Sequence, residues 1–281
     1  VTDAATLLAA QAEGRAIVTE YGYAPRVRDF AATAGGKRIL GMIERDKANT
    51  ELWLSRMVES VPAFESIPLD GDPEGRDPFW NNGMIPGLDG MLLYALLSTV
   101  KPKTYFEVGS GNSTKFVAKA IRDHGLATRV ISIDPHPRAV IDSLCDEVIR
   151  LPVEDVDLSK HLALLQPDDV VYIDNSHRSF QNSDVTVFFT EMLPALPAGV
   201  IYGVHDIFLP EDYPPEWLGR FYNEQYLLAS YLLGGADGDT ILFPGIHVSR
   251  TQVDRIASDL FASPALSGVS RHAGAFWMMK G

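Results

Sequence analysis

The stretch "YFEVGSGNSTKF", residues 105–116, decides how the rest of the chain is read. An apolar run enters a Gly-Ser-Gly turn, and a segment with helical spacing leaves it. Gly109 and Gly111 let the backbone turn tightly and approach a ligand closely. Strand–turn–helix units of this kind cradle nucleotides and nucleotide-like cofactors. A nicotinamide or flavin site usually has a third glycine three positions after the second, and Thr114 stands there instead. Glu107, just before the turn, suits a cationic ligand better than a pyrophosphate.

Outward from the turn, short apolar strands alternate with helices. "TYFEVGS" precedes a helix over 113–124 closed by Gly125, and "RVISIDP" precedes a short helix around 137–144. "EVIRLPV" precedes a helix near 158–165, "DDVVYID" one over 182–193, and "GVIYGVHD" is a fifth strand. Continuous Val/Ile/Tyr runs indicate strands covered on both faces, as in a parallel sheet. "TILFPG" and "AFWMMK" are two closing strands around the helix "QVDRIASDLFA". The expected fold is therefore α/β, a doubly wound, mostly parallel, seven-stranded sheet.

Before the sheet, "GLDGMLLYALLSTV" (87–100) is a helix that Pro102 brings to an end, and 69–78 is a loop rich in Asp, Gly and Pro. Residues 1–68 are expected to be helical, with apolar spacings of three and four in "TLLAAQAEGRAIVTEYG" and "NTELWLSRMVESV". This divides the chain into an N-terminal helical appendage, 1–80, and a main domain, 81–281. An aromatic-rich, mostly helical insertion, 207–239, interrupts that domain.

The chain has 281 residues and a formal net charge of −13, with 24 Lys+Arg against 37 Asp+Glu. Such a surface repels phosphate backbones and anionic headgroups, so no nucleic-acid and no membrane partner is expected. Cys145 is the only cysteine, which excludes an internal disulfide and a cysteine-based zinc site. No signal peptide is read at the start, so the expectation is a cytoplasmic protein; a homo-oligomer stays open.

Asp134 ends the strand "VISIDP", 25 residues after Gly109, where a carboxylate can accept both hydroxyls of a ribose. Together, Glu107, the turn and Asp134 resemble the class I S-adenosylmethionine-dependent methyltransferases, over roughly 87–206 and more loosely 240–280. The resemblance implies that Glu107, Gly109, Ser110, Gly111 and Ser113 surround the amino-acid part of S-adenosylmethionine. It implies that Asp134 binds the ribose, and that Asp174 also borders the cofactor. Ser113 replaces a family glycine and would put a hydroxyl near the methionine carboxylate. Glu154 or Asp155 is expected near the adenine, with His136 against the ring; solvated loop is the plainer account of both segments.

Asp174 ends "VVYIDNSH", and His205-Asp206 ends "IYGVHD". These motifs resemble a small-molecule subgroup, some of whose members bind a divalent cation such as Mg or Mn. Carried over, the metal ligands would be Asp174, His205 and Asp206, although imidazole suits softer ions than Mg. The competing reading makes His177 or His205 the general base, with Asp174 beside them. A third account makes Asp-Asn-Ser-His a turn in which the acid caps its own backbone. The resemblance implies methyl transfer to a small-molecule acceptor, with a hydroxyl oxygen favoured. A catalytically silent S-adenosylmethionine-binding or scaffold protein is the alternative, and a nicotinamide-dependent oxidoreductase ranks behind it. Tyr213, Trp217, Phe221, Tyr222 and Tyr226 are expected mainly to form a lid core, and Lys115 and Lys119 the solvated face of the first helix.

Overall fold

The computed structural model describes residues 3–14 and 16–281. Its strands are β1 (Thr104–Val108), β2 (Arg129–Ile133), β3 (Glu147–Ile149), β4 (Val170–Ile173), β5 (Ile201–Val204), β6 (Thr240–Pro244) and β7 (Phe276–Met279). They form one seven-stranded sheet in the order β3-β2-β1-β4-β5-β7-β6. The first five strands run parallel, and β7 lies antiparallel between β5 and β6. This is the doubly wound, mostly parallel sheet expected from the apolar runs.

Strand side chains alternate between two apolar layers, as the pleat requires. Tyr105, Val130, Val170 and Tyr172 face one layer, while Phe106, Val108, Ile131, Val171 and Ile173 face the other. The helices are α1 (Ala4–Ala12), α2 (Ala34–Arg45), α3 (Lys47–Glu59), α4 (Val61–Glu65), α5 (Gly87–Val100) and α6 (Asn112–His124). After these come α7 (Ser159–Leu162), α8 (Asp184–Val187), α9 (Leu193–Ala195), α10 (Glu224–Leu233), α11 (Gly245–Thr251) and α12 (Val253–Asp259). The expected 182–193 helix is broken: a π turn, Phe188–Met192, separates α8 from α9. Only a 3-10 turn, Asp142–Leu144, stands where a helix around 137–144 was expected.

The N-terminal expectation needs correction. α1 ends at Ala12, Gly14 takes a left-handed φ of 70°, and no helix forms from residue 16 to Thr33. Ile17, Val18 and Tyr21 are exposed and pack on no apolar surface, and Gly14, with its left-handed φ, ends the helical run that α1 starts. By contrast, Trp53, Leu54 and Met57 of α3 and Phe64 of α4 join the same core as α5. Asp46 accepts the Ile241 amide and Asn49 donates to the Ile241 carbonyl, which covers the β6 edge. Lys115 is also corrected: it is buried, with Nζ on the Pro73 carbonyl, rather than on a solvated face.

The backbone at Gly109 has a φ of 82°, and a Cβ there would stand 1.7 Å from the Asp174 carbonyl oxygen. Gly109→Ala is therefore expected to destabilise the protein by about 2–5 kcal/mol, combining backbone strain and overpacking. Gly111→Ala, whose Cβ meets no atom within 4 Å, should cost far less. Urea unfolding of both variants checks this; equal midpoints would contradict the close approach.

Candidate functional site

Strand ends assemble the site. Gly109 donates to the Ile133 carbonyl, Asp174 to that of Val108 and His205 to that of Ile173. The ladder is thus carried one residue past each strand, which fixes Gly109, Asp174 and His205 at neighbouring strand ends. A cavity of about 700 Å³ opens over these ends. Gly109, Ser110, Gly111, Ser113, Asp134, His136, Glu154, Asp174, His177, His205 and Asp206 all line it. Of the residues singled out for cofactor, catalysis or metal, Glu107 and Asp155 are off its wall.

Glu107 is fully buried beneath the turn, where Tyr105, Ser113 and Thr114 donate hydroxyl hydrogen bonds to its carboxylate. Burial pushes its pKa up to about 7 despite these donors. Its place is a prop that ties β1 to the start of α6. The same bond corrects Ser113: its hydroxyl is committed to Glu107 rather than left for a ligand carboxylate. Asp134 accepts the Ser110 amide on one oxygen and the His136 amide on the other, so it joins the two loops. Each carboxylate oxygen has a second lone pair, and the side chain still faces the cavity.

At the far end, two imidazoles meet two carboxylates. His177 Nε2 lies 3.4 Å from Asp174 and 3.4 Å from Asp206. His205 Nδ1 lies 3.4 Å from Asp174 and 3.3 Å from Asp206. Behind each ring stands a buried acid that sequence reasoning missed: Glu224 is 2.9 Å from His177 Nδ1, and Asp89 is 3.2 Å from His205 Nε2. Asp89 had a legible signal, a lone acid in the apolar run of α5. It is held by the Gly274 and Ala275 amides as well. Glu224, in the polar stretch "YNEQY", had none.

Burial alone would lower the His177 pKa, but Asp174, Glu224 and Asp206 raise it to about 10. His205 is likewise pushed well above its ordinary value, against burial, by Asp174 and Asp206. Burial alone would raise Asp174; the two imidazoles hold it far below the usual carboxylate range. The geometry therefore favours charged imidazoles rather than rings with an ordinary pKa near neutrality.

Asp174, His205 and Asp206, the expected metal set, do converge. Among the described residues, however, no three His, Cys, Asp or Glu side chains are arranged to hold a metal ion. The imidazole nitrogens face carboxylates as ion pairs instead. His205 Nδ1 is buried and makes no well-formed hydrogen bond, facing Asp174 and Asp206 only as an ion pair.

The insertion closes the cavity. It holds a 3-10 turn, Pro215–Arg220, and α10, so it is less helical than expected. Phe208 and Tyr213 pack with Ile246, Trp217, Tyr222 and Tyr226, whereas Phe221, expected in the same core, is exposed. Trp217, Arg220 and Tyr222 also line the cavity.

Residues 106–207 match the family described as "Methyltransferase domain". This segment is similar to a methyltransferase domain, and it begins within the stretch 105–116 that carried the resemblance. No curated protein matches the chain. Similar solved structures include an SAH-bound methyltransferase from Podospora anserina, 13% identical, covering 82% of this chain and 88% of that one at a TM-score of 0.43. Another is an O-methyltransferase from Bacillus cereus in complex with SAH, 16% identical, covering 85% and 98% at a TM-score of 0.39. Among the described residues no helix is long and apolar enough to cross a membrane.

Because the folded His177 pKa of about 10 exceeds its ordinary value of 6.5, its contribution to stability is full below pH 6.5. That contribution is lost as pH rises toward 10. The thermal midpoint should fall between about pH 7 and pH 10, and His177→Gln should flatten the fall. A flat wild-type profile would show that the folded protein does not hold His177 charged.

Proposed function

We propose that this chain transfers the methyl group of S-adenosylmethionine to a hydroxyl oxygen of a small-molecule acceptor. One observation carries the reading. A single cavity joins the Gly109–Ser113 turn and Asp134 to the His177, His205, Asp174 and Asp206 group. The turn backbone would hold the amino-acid part of the cofactor, Asp134 its ribose, and His136 and Glu154 would border the adenine. The sulfonium would then lie toward Asp174, where negative charge favours it.

In the transfer, the acceptor oxygen attacks the methyl carbon, the carbon–sulfur bond breaks, and neutral S-adenosylhomocysteine leaves. The hydroxyl proton passes to the His177–Asp174–His205 group. In the empty site the imidazoles already carry protons, so the base must first give one up. A sulfonium bound beside them lowers their pKa and favours that loss. Glu224 and Asp89 keep each ring oriented while this happens.

Asp134→Ala is expected to weaken cofactor binding by about 1.5–3 kcal/mol, the range for hydrogen bonds involving a charged group. Calorimetry on wild type and variant decides, and equal affinities remove Asp134 from the site. A screen of hydroxylated acceptors with radiolabelled methyl donor tests the transfer itself. Tight cofactor binding with no transfer to any acceptor would favour the silent binding protein.

A divalent cation is the second reading, favoured by the convergence of Asp174 and Asp206 on His205 Nδ1. Asp174, His205 and Asp206 would hold it, and it would lower the pKa of an acceptor hydroxyl. Excess chelator should then abolish transfer and a divalent ion restore it, with cofactor affinity little changed. Full activity in excess chelator ends this reading.

A further inference from the structure

We infer that the acceptor carries an anionic group, a carboxylate or a phosphate, which Arg220 receives at the mouth of the cavity. This rests on the methyl-transfer reading and adds the chemical class of the substrate.

The cavity is polarised along its length. Its floor holds Asp174 and Asp206 around the two imidazoles, with Glu224 and Asp89 behind them. Its rim on the same side holds a cation. Tyr222 packs on His177 at 4.6 Å between ring centroids, and the Arg220 guanidinium lies 5.5 Å from the Tyr222 ring. Arg220 is thus one aromatic ring away from the reactive cluster. The cofactor turn follows β1, on one side of Asp174, whereas Arg220 belongs to the insertion after β5, on the other side, so this cation belongs to the acceptor side.

The state of Arg220 points to a ligand. Among the described residues Arg220 pairs with no carboxylate; its contacts are the faces of Trp217, 3.9 Å from the ring centroid, and Tyr222. It shares the lack of a carboxylate partner with Arg138, which also lines the cavity, and with Arg178, 4.9 Å from the Tyr222 ring. What sets Arg220 apart is that it both lines the cavity and stacks on Trp217. Stacking occupies the face of the guanidinium and leaves its in-plane N–H donors free. Those donors match a carboxylate or phosphate in a two-pronged contact. Holding the group against Trp217 also reduces the ordering needed on binding.

Charge then fixes orientation. An anionic tail is repelled by Asp174 and Asp206 and attracted by Arg220, so the neutral hydroxyl enters first, toward the sulfonium. Trp217 and Tyr222 supply flat walls for a ring between the two ends. A neutral acceptor would have no such preferred direction.

Calorimetry with S-adenosylhomocysteine-saturated protein tests this. Matched hydroxylated aromatics, such as catechol, 3,4-dihydroxybenzoate and a catechol bearing a phosphate ester, form the panel. The anionic members should bind about tenfold tighter or better, and comparing carboxylate with phosphate identifies the preferred anion. Arg220→Gln should remove the advantage and Arg220→Lys should restore part of it, with unfolding midpoints confirming that each variant folds. Equal binding of neutral and anionic members, no binding by any of them, or an advantage that survives Arg220→Gln overturns the inference. Failure of S-adenosylhomocysteine to bind would instead overturn the methyl-transfer reading beneath it.

Discussion

The absence of a side chain at Gly109 is the constraint on which the site depends. The turn after β1 and the strand end of β4 approach until the Asp174 carbonyl oxygen occupies the place of a Cβ. A packed interior does not yield to such a contact without moving one partner. The cofactor turn and the reactive acid are therefore not independent features. Glu107 secures the arrangement from below, since its carboxylate joins β1 to the first turn of α6 through Ser113 and Thr114. What looks in the sequence like an acid offered to a ligand is the internal tie that keeps a glycine-rich turn in one shape.

The reactive end is held in place against its own electrostatics. Asp89, Asp174, Asp206 and Glu224 crowd two buried rings, and carboxylates this close are tolerable only with compensating positive charge. Protonated imidazoles supply it in the empty protein, and a sulfonium could share the task when bound. The backbone carries strain at the same place: His177 and Asp206 have left-handed φ values of 59° and 57°. Side-chain residues stay in that region only where surrounding bonds hold them. For His177 these include its amide on Asn175 and its carbonyl, which accepts the Asn223 amide. The insertion thus stabilises the strained loop that presents the ring.

Much of the fold was legible because a parallel sheet buried on both faces forces unbroken apolar strands. Thr104–Val108 and Val170–Ile173 could hardly be anything else, and α6 ends at Gly125 with the left-handed cap its sequence announces. The misreadings have physical causes. Helical spacing after α1 is interrupted at Gly14, whose left-handed φ ends the helix, and Ile17, Val18 and Tyr21 beyond it have no surface on which to pack. The hydrogen bond from Ser113 to Glu107 was not legible either, because it depends on side-chain direction within a turn. Asp89 and His205 are 116 residues apart, and Glu224 lies 47 from His177. Such pairings arise only when the sheet brings remote segments together.

The insertion gains a sharper meaning from these contacts. A simple cover would need apolar packing, and Phe208, Tyr213 and Trp217 provide it. A cover has no need of a fully buried acid, yet Glu224 reaches from α10 to His177. Neither does it need a stacked guanidinium facing the cavity, yet Arg220 stands there. Separating the insertion from the sheet would therefore remove the ring's orienting acid and the rim cation together. The same segment that lines the cavity also completes its charge pattern. The ring contact that seats Tyr222 against His177 joins the insertion directly to the reactive cluster.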